Sequence, residues 1–210
     1  MECTYQVIVV GIGPGSPDYL LPIASRTITT ARVLVGSKRA LDTFASAEQL
    51  TKIIDRDISG VLDFIEQQVH CQDVVVMVSG DPGFYSMLAA LRRRFVAEKL
   101  RVIPGISSVQ LAFARLAEVW QDAALISMHG RKAADEVLSY RPGYKLGLLT
   151  DTQHTPANIA GILLELGWPE TACVWLCTNL SYDDEEIVAT TLAKAKLTPG
   201  FEHSVMVVKA

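Results

Sequence analysis

The chain has 210 residues, of which 50% are hydrophobic and 20% charged, and its net charge at pH 7 is −4. This composition predicts a globular protein of one large or two small domains, and the acidic balance argues against nucleic-acid binding. The sequence has no apolar run of eighteen residues, and its acidic start is unlike a signal peptide, so we expect a cytoplasmic protein that does not span a membrane. Its cysteines are too few and too scattered to predict a disulfide framework or a metal site: Cys3, Cys71, Cys173 and Cys177.

Strand and helix patterns alternate along the first half of the chain. Apolar runs predict strands at 6–10, 32–35, 74–78 and 101–103. Helical spacing of apolar residues predicts helices at 19–31, 61–69, 84–97 and 107–117. The alternation of the two patterns is typical of an α/β fold with a parallel sheet.

The second half has the same two patterns in a less regular order. Strands are predicted at 124–127, 145–149, 173–178 and 204–209, and helices at 133–140 and 155–166. Thr155 followed by Pro156 is a typical helix start. Residues 181–196 suggest a solvated turn and then an edge strand or a short helix. We therefore expect two α/β lobes, at 1–117 and 118–210, with the ligand in the cleft between them.

The first loop of interest, Gly11–Ser16, follows the first predicted strand. It differs from a dinucleotide-binding loop because Ser16 replaces the third glycine and Pro14 has no N–H to offer a phosphate. A rigid Gly-Pro-Gly turn that brings the backbone close to another ligand fits better. The alternative is a strand-to-helix connection that binds nothing.

Two further loops, SGDPGFYS at 79–86 and IPGISS at 103–108, also follow predicted strands. Ligands of open parallel sheets bind beyond the carboxyl ends of the strands, where these loops lie. Asp81 offers a carboxylate to a ligand, or it caps a helix that begins near Phe84. Ser107 is a natural N-cap, and the same position can present a hydroxyl and N–H groups to a ligand carboxylate.

In this order and spacing, GxGPG, SGDPxxYS and PGISS resemble the motifs of the tetrapyrrole methylase family. That resemblance implies two α/β lobes with S-adenosylmethionine between them, and S-adenosylhomocysteine as a product. The longer stretches RLAEVWQDAALISMHGR, LLTDTQHTPANIAGILLELG and NLSYDDEEI narrow the resemblance to the members that methylate carbon 5 of cobalt-precorrin-7 in cobalamin biosynthesis. The same resemblance implies a homodimer and a separate carbon-15 methyltransferase/decarboxylase as a partner.

The resemblance also assigns site residues. It places around the cofactor Pro14, Ser79, Gly80, Asp81, Phe84, Ser107, Ser108 and, at the adenine, Leu149. The predicted substrate side consists of Gly13, Gly15, Tyr85, His129 and Arg131. His129 is the one candidate catalytic residue, because it could orient the substrate or remove the proton from carbon 5; a loop histidine without a role is the alternative. Arg131 either pairs with a substrate carboxylate or lies on the surface.

Methyl transfer from a sulfonium depends mainly on alignment in a dry pocket, which agrees with the absence of a Ser-His-Asp pattern or a carboxylate pair. Other methylases of this fold, acting on uroporphyrinogen, diphthamide precursors or ribosomal RNA, are alternative functions. A non-catalytic subunit that partners a carbon-15 enzyme is an alternative from another class.

Overall fold

In the computed structural model, which describes residues 5–210, the apolar runs of the first half of the chain form one parallel sheet. The chain divides after Ser107 into two units, and this sheet belongs to the first. The elements of the first unit are β1 (Val7–Gly11), α1 (Pro22–Thr30), β2 (Val33–Gly36), α2 (Lys38–Phe44), β3 (Leu50–Ile53), α3 (Ile58–Val69), β4 (Val74–Val78), α4 (Leu88–Arg94) and β5 (Leu100–Ile103). The strand order is β3-β2-β4-β1-β5, and every neighbouring pair is parallel.

Helices cover both faces of the first sheet. On one face, Val7 and Val9 of β1 pack with Ile65 of α3 and Leu91 of α4. On the other face, the alternate side chains of β1 pack with residues of α1 and α2, including Ile28. Because both faces are buried, β1 and β4 are apolar at every position, which is why the sequence reveals them as strands.

The second unit has a mixed sheet. Its elements are α5 (Ser108–Arg115), β6 (Ala123–Ser127), α6 (Asp135–Leu138), β7 (Lys145–Leu149), α7 (Pro156–Glu165), β8 (Cys173–Thr178), β9 (Glu186–Thr191), α8 (Leu192–Ala195) and β10 (Val205–Lys209). The strand order is β6-β7-β10-β8-β9. Only β6 and β7 are parallel, whereas β10 runs antiparallel to β7 and β8, and β9 runs antiparallel to β8.

Helix α5 packs on the second sheet, so the structural division falls ten residues before the predicted boundary at 117. Gly147 in β7 makes room for this helix, because a Cβ there would lie 2.9 Å from the ring of Phe113 and 3.0 Å from Val109. The other face of the second sheet packs on α6, α7 and α8 through residues such as Leu138, Ile159 and Leu192.

Several predicted elements have different bounds in the structure. Helix α2 and strand β3 are not among the predicted elements, and the predicted helix at 133–140 is only the single turn of α6. Residues 181–196, for which an edge strand or a short helix was expected, contain both, because strand β9 is followed by helix α8. Thr155 is confirmed as the N-cap of α7, since its hydroxyl accepts the N–H of Asn158. None of the helices in residues 5–210 is long and apolar enough to cross a bilayer.

Candidate functional site

Three loops of the first unit meet backbone to backbone at the carboxyl ends of β4, β1 and β5. Their contact points are Gly80, Gly11 and Gly105. A Cβ on Gly11 would lie 2.6 Å from the carbonyl oxygen of Gly80, and a Cβ on Gly105 would overlap that same oxygen. Gly11 and Gly105 therefore require glycine, because the loops approach more closely there than any side chain permits.

A two-residue bridge joins the first two of these loops. The N–H of Gly80 donates to the carbonyl of Gly13 (2.8 Å), and the N–H of Gly13 donates to the carbonyl of Gly80 (3.4 Å). Both residues have a positive φ, +78° at Gly13 and +68° at Gly80, which favours glycine. Pro14 and Gly15, next in the first loop, are half-buried. The GxGPG motif thus builds a turn that is fixed against the second loop.

Asp81 joins the second loop to the third. Its Oδ2 accepts the N–H of Gly105 (3.0 Å), and its Oδ1 accepts the N–H of Gly83 (2.7 Å). The expected helix start near Phe84 is wrong, because α4 begins only at Leu88. Tyr85 has a φ of +50°, which interrupts helical geometry, so Asp81 holds loops together and does not cap a helix.

Four further predicted residues follow these loops in the sequence, Phe84 and Tyr85 after Asp81, and Ser107 and Ser108 after Gly105. Ser107 is buried directly before α5, and Ser108 is the first residue of that helix, as the N-cap prediction requires. The rings of Phe84 and Tyr85 contact edge to face, with centroids 4.8 Å apart, and Tyr85 is 47% exposed.

Ser79 has a neighbour that is not among the predicted site residues. The guanidinium of Arg39 donates to its hydroxyl (3.4 Å). Only the folded sheet, with β2 next to β4, reveals this approach.

In the second unit, the structure brings together His129, Arg131 and Leu149. The carbonyl of Leu149 accepts the N–H of Met128 (2.9 Å), which continues the pairing of β6 with β7 up to the MHGR loop. His129 and Arg131 are exposed, and Gly130 between them has a φ of +67°. Ligand contacts of these three residues remain predictions.

Asp151, which is not among the predicted site residues, fixes the MHGR loop. This buried carboxylate accepts N–H groups from Gly130 (2.6 Å), Gln153 (2.8 Å) and His154. These backbone hydrogen bonds, led by the one from Gly130, hold the pKa of Asp151 well below its usual range. An aspartate directly beyond a strand end was the only available signal, since the partner at Gly130 is distant in sequence.

The cysteines and acidic residues form no metal centre in the part of the chain that the structure describes. Cys71 and Cys173 are exposed and Cys177 is buried, and burial raises the pKa of the Cys177 thiol to about 12. Cys3 lies outside the described residues.

Comparison with known proteins gives a consistent result. The family model of tetrapyrrole (corrin/porphyrin) methylases matches residues 6–196. The chain is 34% identical over 182 residues to the cobalt-precorrin-7 C(5)-methyltransferase of Salmonella typhimurium. The aligned region covers 87% of this chain and 89% of that protein.

Two solved structures are similar over nearly their whole length. The precorrin-6Y methylase of cobalamin biosynthesis from Archaeoglobus fulgidus has a TM-score of 0.72 at 26% identity, covering 97% of each chain. The uroporphyrin-III C-methyltransferase of Thermus thermophilus, complexed with S-adenosylhomocysteine, has a TM-score of 0.75 at 20% identity, covering 97% of this chain and 96% of that one. At that identity, the second likeness shows the fold alone.

Proposed function

Because this chain belongs to the tetrapyrrole (corrin/porphyrin) methylase family, we propose that it methylates carbon 5 of cobalt-precorrin-7 and gives cobalt-precorrin-8. It is a methyltransferase of cobalamin biosynthesis that uses S-adenosylmethionine. The choice of substrate rests on one observation, the similarity over most of the chain to enzymes named for that carbon-5 reaction.

The glycine junction of the first unit fits the cofactor. Gly80 is buried and Gly105 half-buried where their backbones pack together, and Asp81 beside them is only part-buried. When bound, S-adenosylmethionine supplies an electrophilic methyl group on a sulfonium. We propose that Pro14, Ser79, Gly80, Asp81, Phe84, Ser107 and Ser108 hold it, with Leu149 at the adenine. The glycines permit close approach of the backbone, and the Asp81 carboxylate fixes the loops that carry them.

The chain's own contribution to methyl transfer is alignment and exclusion of water. A correctly aligned pair of reacting atoms, about 3–3.5 Å apart, needs little acid–base assistance before the bond forms. We propose that Gly13, Gly15, Tyr85, His129 and Arg131 contact the macrocycle. In this proposal Arg131 pairs with a carboxylate, and His129 accepts the proton that carbon 5 loses.

The decisive experiment incubates the protein with cobalt-precorrin-7 and cofactor labelled with ¹³C in its methyl group. We expect one new labelled methyl, located on carbon 5 by NMR. Parallel incubation with uroporphyrinogen III tests the main alternative within this fold. Label on another carbon, or preferential methylation of uroporphyrinogen, would contradict the proposal. Binding of S-adenosylhomocysteine without any methylation would favour a non-catalytic subunit.

We further propose that the enzyme is a cytoplasmic homodimer, the dimer being what the resemblance implies. A separate carbon-15 methyltransferase/decarboxylase is its proposed partner, since the product of one reaction would be the substrate of the other. Co-purification of the two enzymes, compared with an unrelated methyltransferase as bait, tests this association.

A further inference from the structure

A buried pair of hydroxyl residues in the second unit fixes the surroundings of two histidines. Oγ1 of Thr150 accepts the N–H of Ser204 (2.8 Å) and donates to its carbonyl oxygen (3.0 Å). The N–H of Thr150 donates to that carbonyl as well (3.1 Å). Both residues are almost completely buried. The carbonyl of Thr150 lies beside the ring of His129, and Ser204 directly follows His203. The hydrogen bonds between Thr150 and Ser204 therefore fix both the carbonyl beside His129 and the backbone next to His203.

The hydrogen bond of His129 determines which of its nitrogens can take up a proton. Its Nδ1 lies 3.4 Å from the carbonyl oxygen of Thr150. Because a carbonyl oxygen only accepts, Nδ1 must carry the hydrogen in this contact, and Nε2 of the neutral ring then has a free electron pair. His129 is also exposed, so its ring is accessible to a bound ligand.

His203 is the nearest aromatic neighbour of His129. Their ring centroids are 5.6 Å apart and the rings are tilted by 44°. His203 has a φ of +58°, a backbone conformation that persists only where the surrounding structure fixes it. A neutral imidazole at this distance can accept a hydrogen bond from a protonated His129 through one water.

We propose that His203 is a positioning residue for His129, and that this pair of imidazoles receives the proton released by methylation. This inference rests on the proposed function. Carbon 5 forms the new carbon–carbon bond with its own electron pair, while the carbon–sulfur bond breaks and its pair stays on sulfur. The C–H bond at carbon 5 then breaks, its electron pair returns to the conjugated macrocycle, and the proton goes to Nε2 of His129. His203 orients that ring and stabilises its charged form by accepting a hydrogen bond.

The test compares His203→Phe, which keeps an aromatic ring but no acceptor, with His203→Gln, which keeps an acceptor. His70→Phe, at an exposed histidine that ends α3 in the first unit, is the matched control. Single-turnover methylation of cobalt-precorrin-7 should slow roughly 10- to 100-fold in His203→Phe, which is less than the roughly 100- to 10,000-fold contributed by a group that itself transfers the proton, because His203 acts only through His129. His203→Gln should recover part of the rate, and the control should match the unsubstituted protein.

Three further readouts separate a role in proton transfer from a merely structural one. Affinity for S-adenosylhomocysteine and the KM for the macrocycle should stay unchanged in His203→Phe. Deuterium at carbon 5 should slow this variant more than it slows the unsubstituted protein. In the unliganded protein, ¹⁵N NMR of the imidazoles should show hydrogen on Nδ1 of His129.

The outcomes distinguish this proposal from the proposed function. Methylation by the unsubstituted protein with an unchanged rate and isotope effect in His203→Phe would overturn the role of His203 alone. Hydrogen on Nε2 of neutral His129 would overturn the assignment of the proton acceptor. Binding of S-adenosylhomocysteine without any methylation of cobalt-precorrin-7 would overturn the proposed function and this inference together.

Discussion

The carboxylate of Asp81 accepts one N–H from its own loop and one from the loop after β5. Removing it in Asp81→Ala leaves two backbone donors without their partner and loosens the glycine junction. A hydrogen bond to a charged group contributes about 1.5–3 kcal/mol, so affinity for S-adenosylhomocysteine should fall roughly 10- to 150-fold. Calorimetric titration measures this change. Asp18→Ala, at an exposed acid two residues after the first loop, is the control and should bind normally.

Unchanged affinity in Asp81→Ala would mean that the glycine contacts alone hold the junction. A large loss of thermal stability with normal affinity would point to a structural role only. The experiment therefore tests whether the loop geometry set by Asp81 matters to the cofactor.

Arg131 ends the MHGR motif and Lys132 follows it, so each of these two adjacent cations can serve as a control for the other. Lys132 lies 3.8 Å from the carboxylate of Asp135, whereas we assign Arg131 to a carboxylate of the macrocycle. Arg131→Ala should weaken macrocycle binding roughly two- to fivefold and leave S-adenosylhomocysteine affinity unchanged, because exposed ion pairs contribute modestly. Lys132→Ala should change neither. Arg131→Glu should weaken macrocycle binding further, and added salt should restore only part of it.

Equal loss of both affinities in Arg131→Ala would contradict the assignment to the macrocycle. It would indicate that the side chain supports the structure of the loop.

Asp151 links the stability of the second unit to pH. Its pKa in the folded protein is lowered, so its stabilising contribution is present above the ordinary aspartate pKa of about 4 and is lost as pH falls through and below that value. Asp151→Asn should lower the melting temperature at pH 7, because an amide cannot accept all three N–H groups. The difference from the unsubstituted protein should shrink between pH 5 and pH 3, measured by thermal unfolding.

Asp183→Asn, at an exposed acid of the same unit, should unfold in parallel with the unsubstituted protein at every pH. A constant difference between Asp151→Asn and the unsubstituted protein over this pH range would contradict the linkage.

At the scale of elements, the junction of the three loops depends on glycine backbone. Gly105→Ala would place a Cβ on the carbonyl oxygen of Gly80, and overpacking of this kind costs about 1–3 kcal/mol. We expect Gly105→Ala to lower the free energy of unfolding by that amount and to weaken S-adenosylhomocysteine binding. In Gly161→Ala the new Cβ would meet nothing closer than 3.9 Å, inside α7, so this control should be stabilised by up to about 1 kcal/mol.

Urea unfolding and calorimetric titration of the two variants check this prediction. Equal stability of Gly105→Ala and the unsubstituted protein would show that the loops can separate without cost.

Elements that are buried on both faces could be predicted closely from the sequence. The strands β4 and β7 have the predicted bounds, because a short run of mostly apolar residues is typical of a strand that is buried on both faces. The start of α4 could not be predicted, because the positive φ of Tyr85 carries no sequence signal. Strand β3 was missed because Leu50 and Ile53 are exposed at the sheet edge, so its pattern is not apolar throughout.

The candidate site was predictable where residues adjacent in sequence build it, and not where distant segments meet. The three glycine loops each follow a strand, so their motifs indicated a common edge before the fold was known. Asp151 and Arg39 act on residues about 20 and 40 positions away, at Gly130 and Ser79. Such pairs depend on strand order, which neither composition nor periodicity determines.

At the scale of the whole molecule, a chain of net charge −4 is proposed to bind a polycarboxylated macrocycle. The overall field of the protein therefore does not attract the substrate, and local cations must provide the attraction. Arg131 in the second unit is the cation that we assign to this role. Affinity for the macrocycle should consequently depend on individual arginines more than on the net charge of the protein.

The homodimer is a prediction that belongs to this scale, and exposed apolar surface supports it. The mean hydropathy of the chain is +0.26, and both outer strands of the first sheet carry exposed apolar side chains: Leu50 and Ile53 on β3, and Val102 on β5. Unpaired sheet edges with apolar side chains favour association with another chain. Light scattering at micromolar concentration should give twice the chain mass of 22.9 kDa. Added salt should leave that mass unchanged, since screening weakens ion pairs and not apolar contacts. A mass near 22.9 kDa would contradict the dimer, and dissociation by salt would indicate an interface of ion pairs.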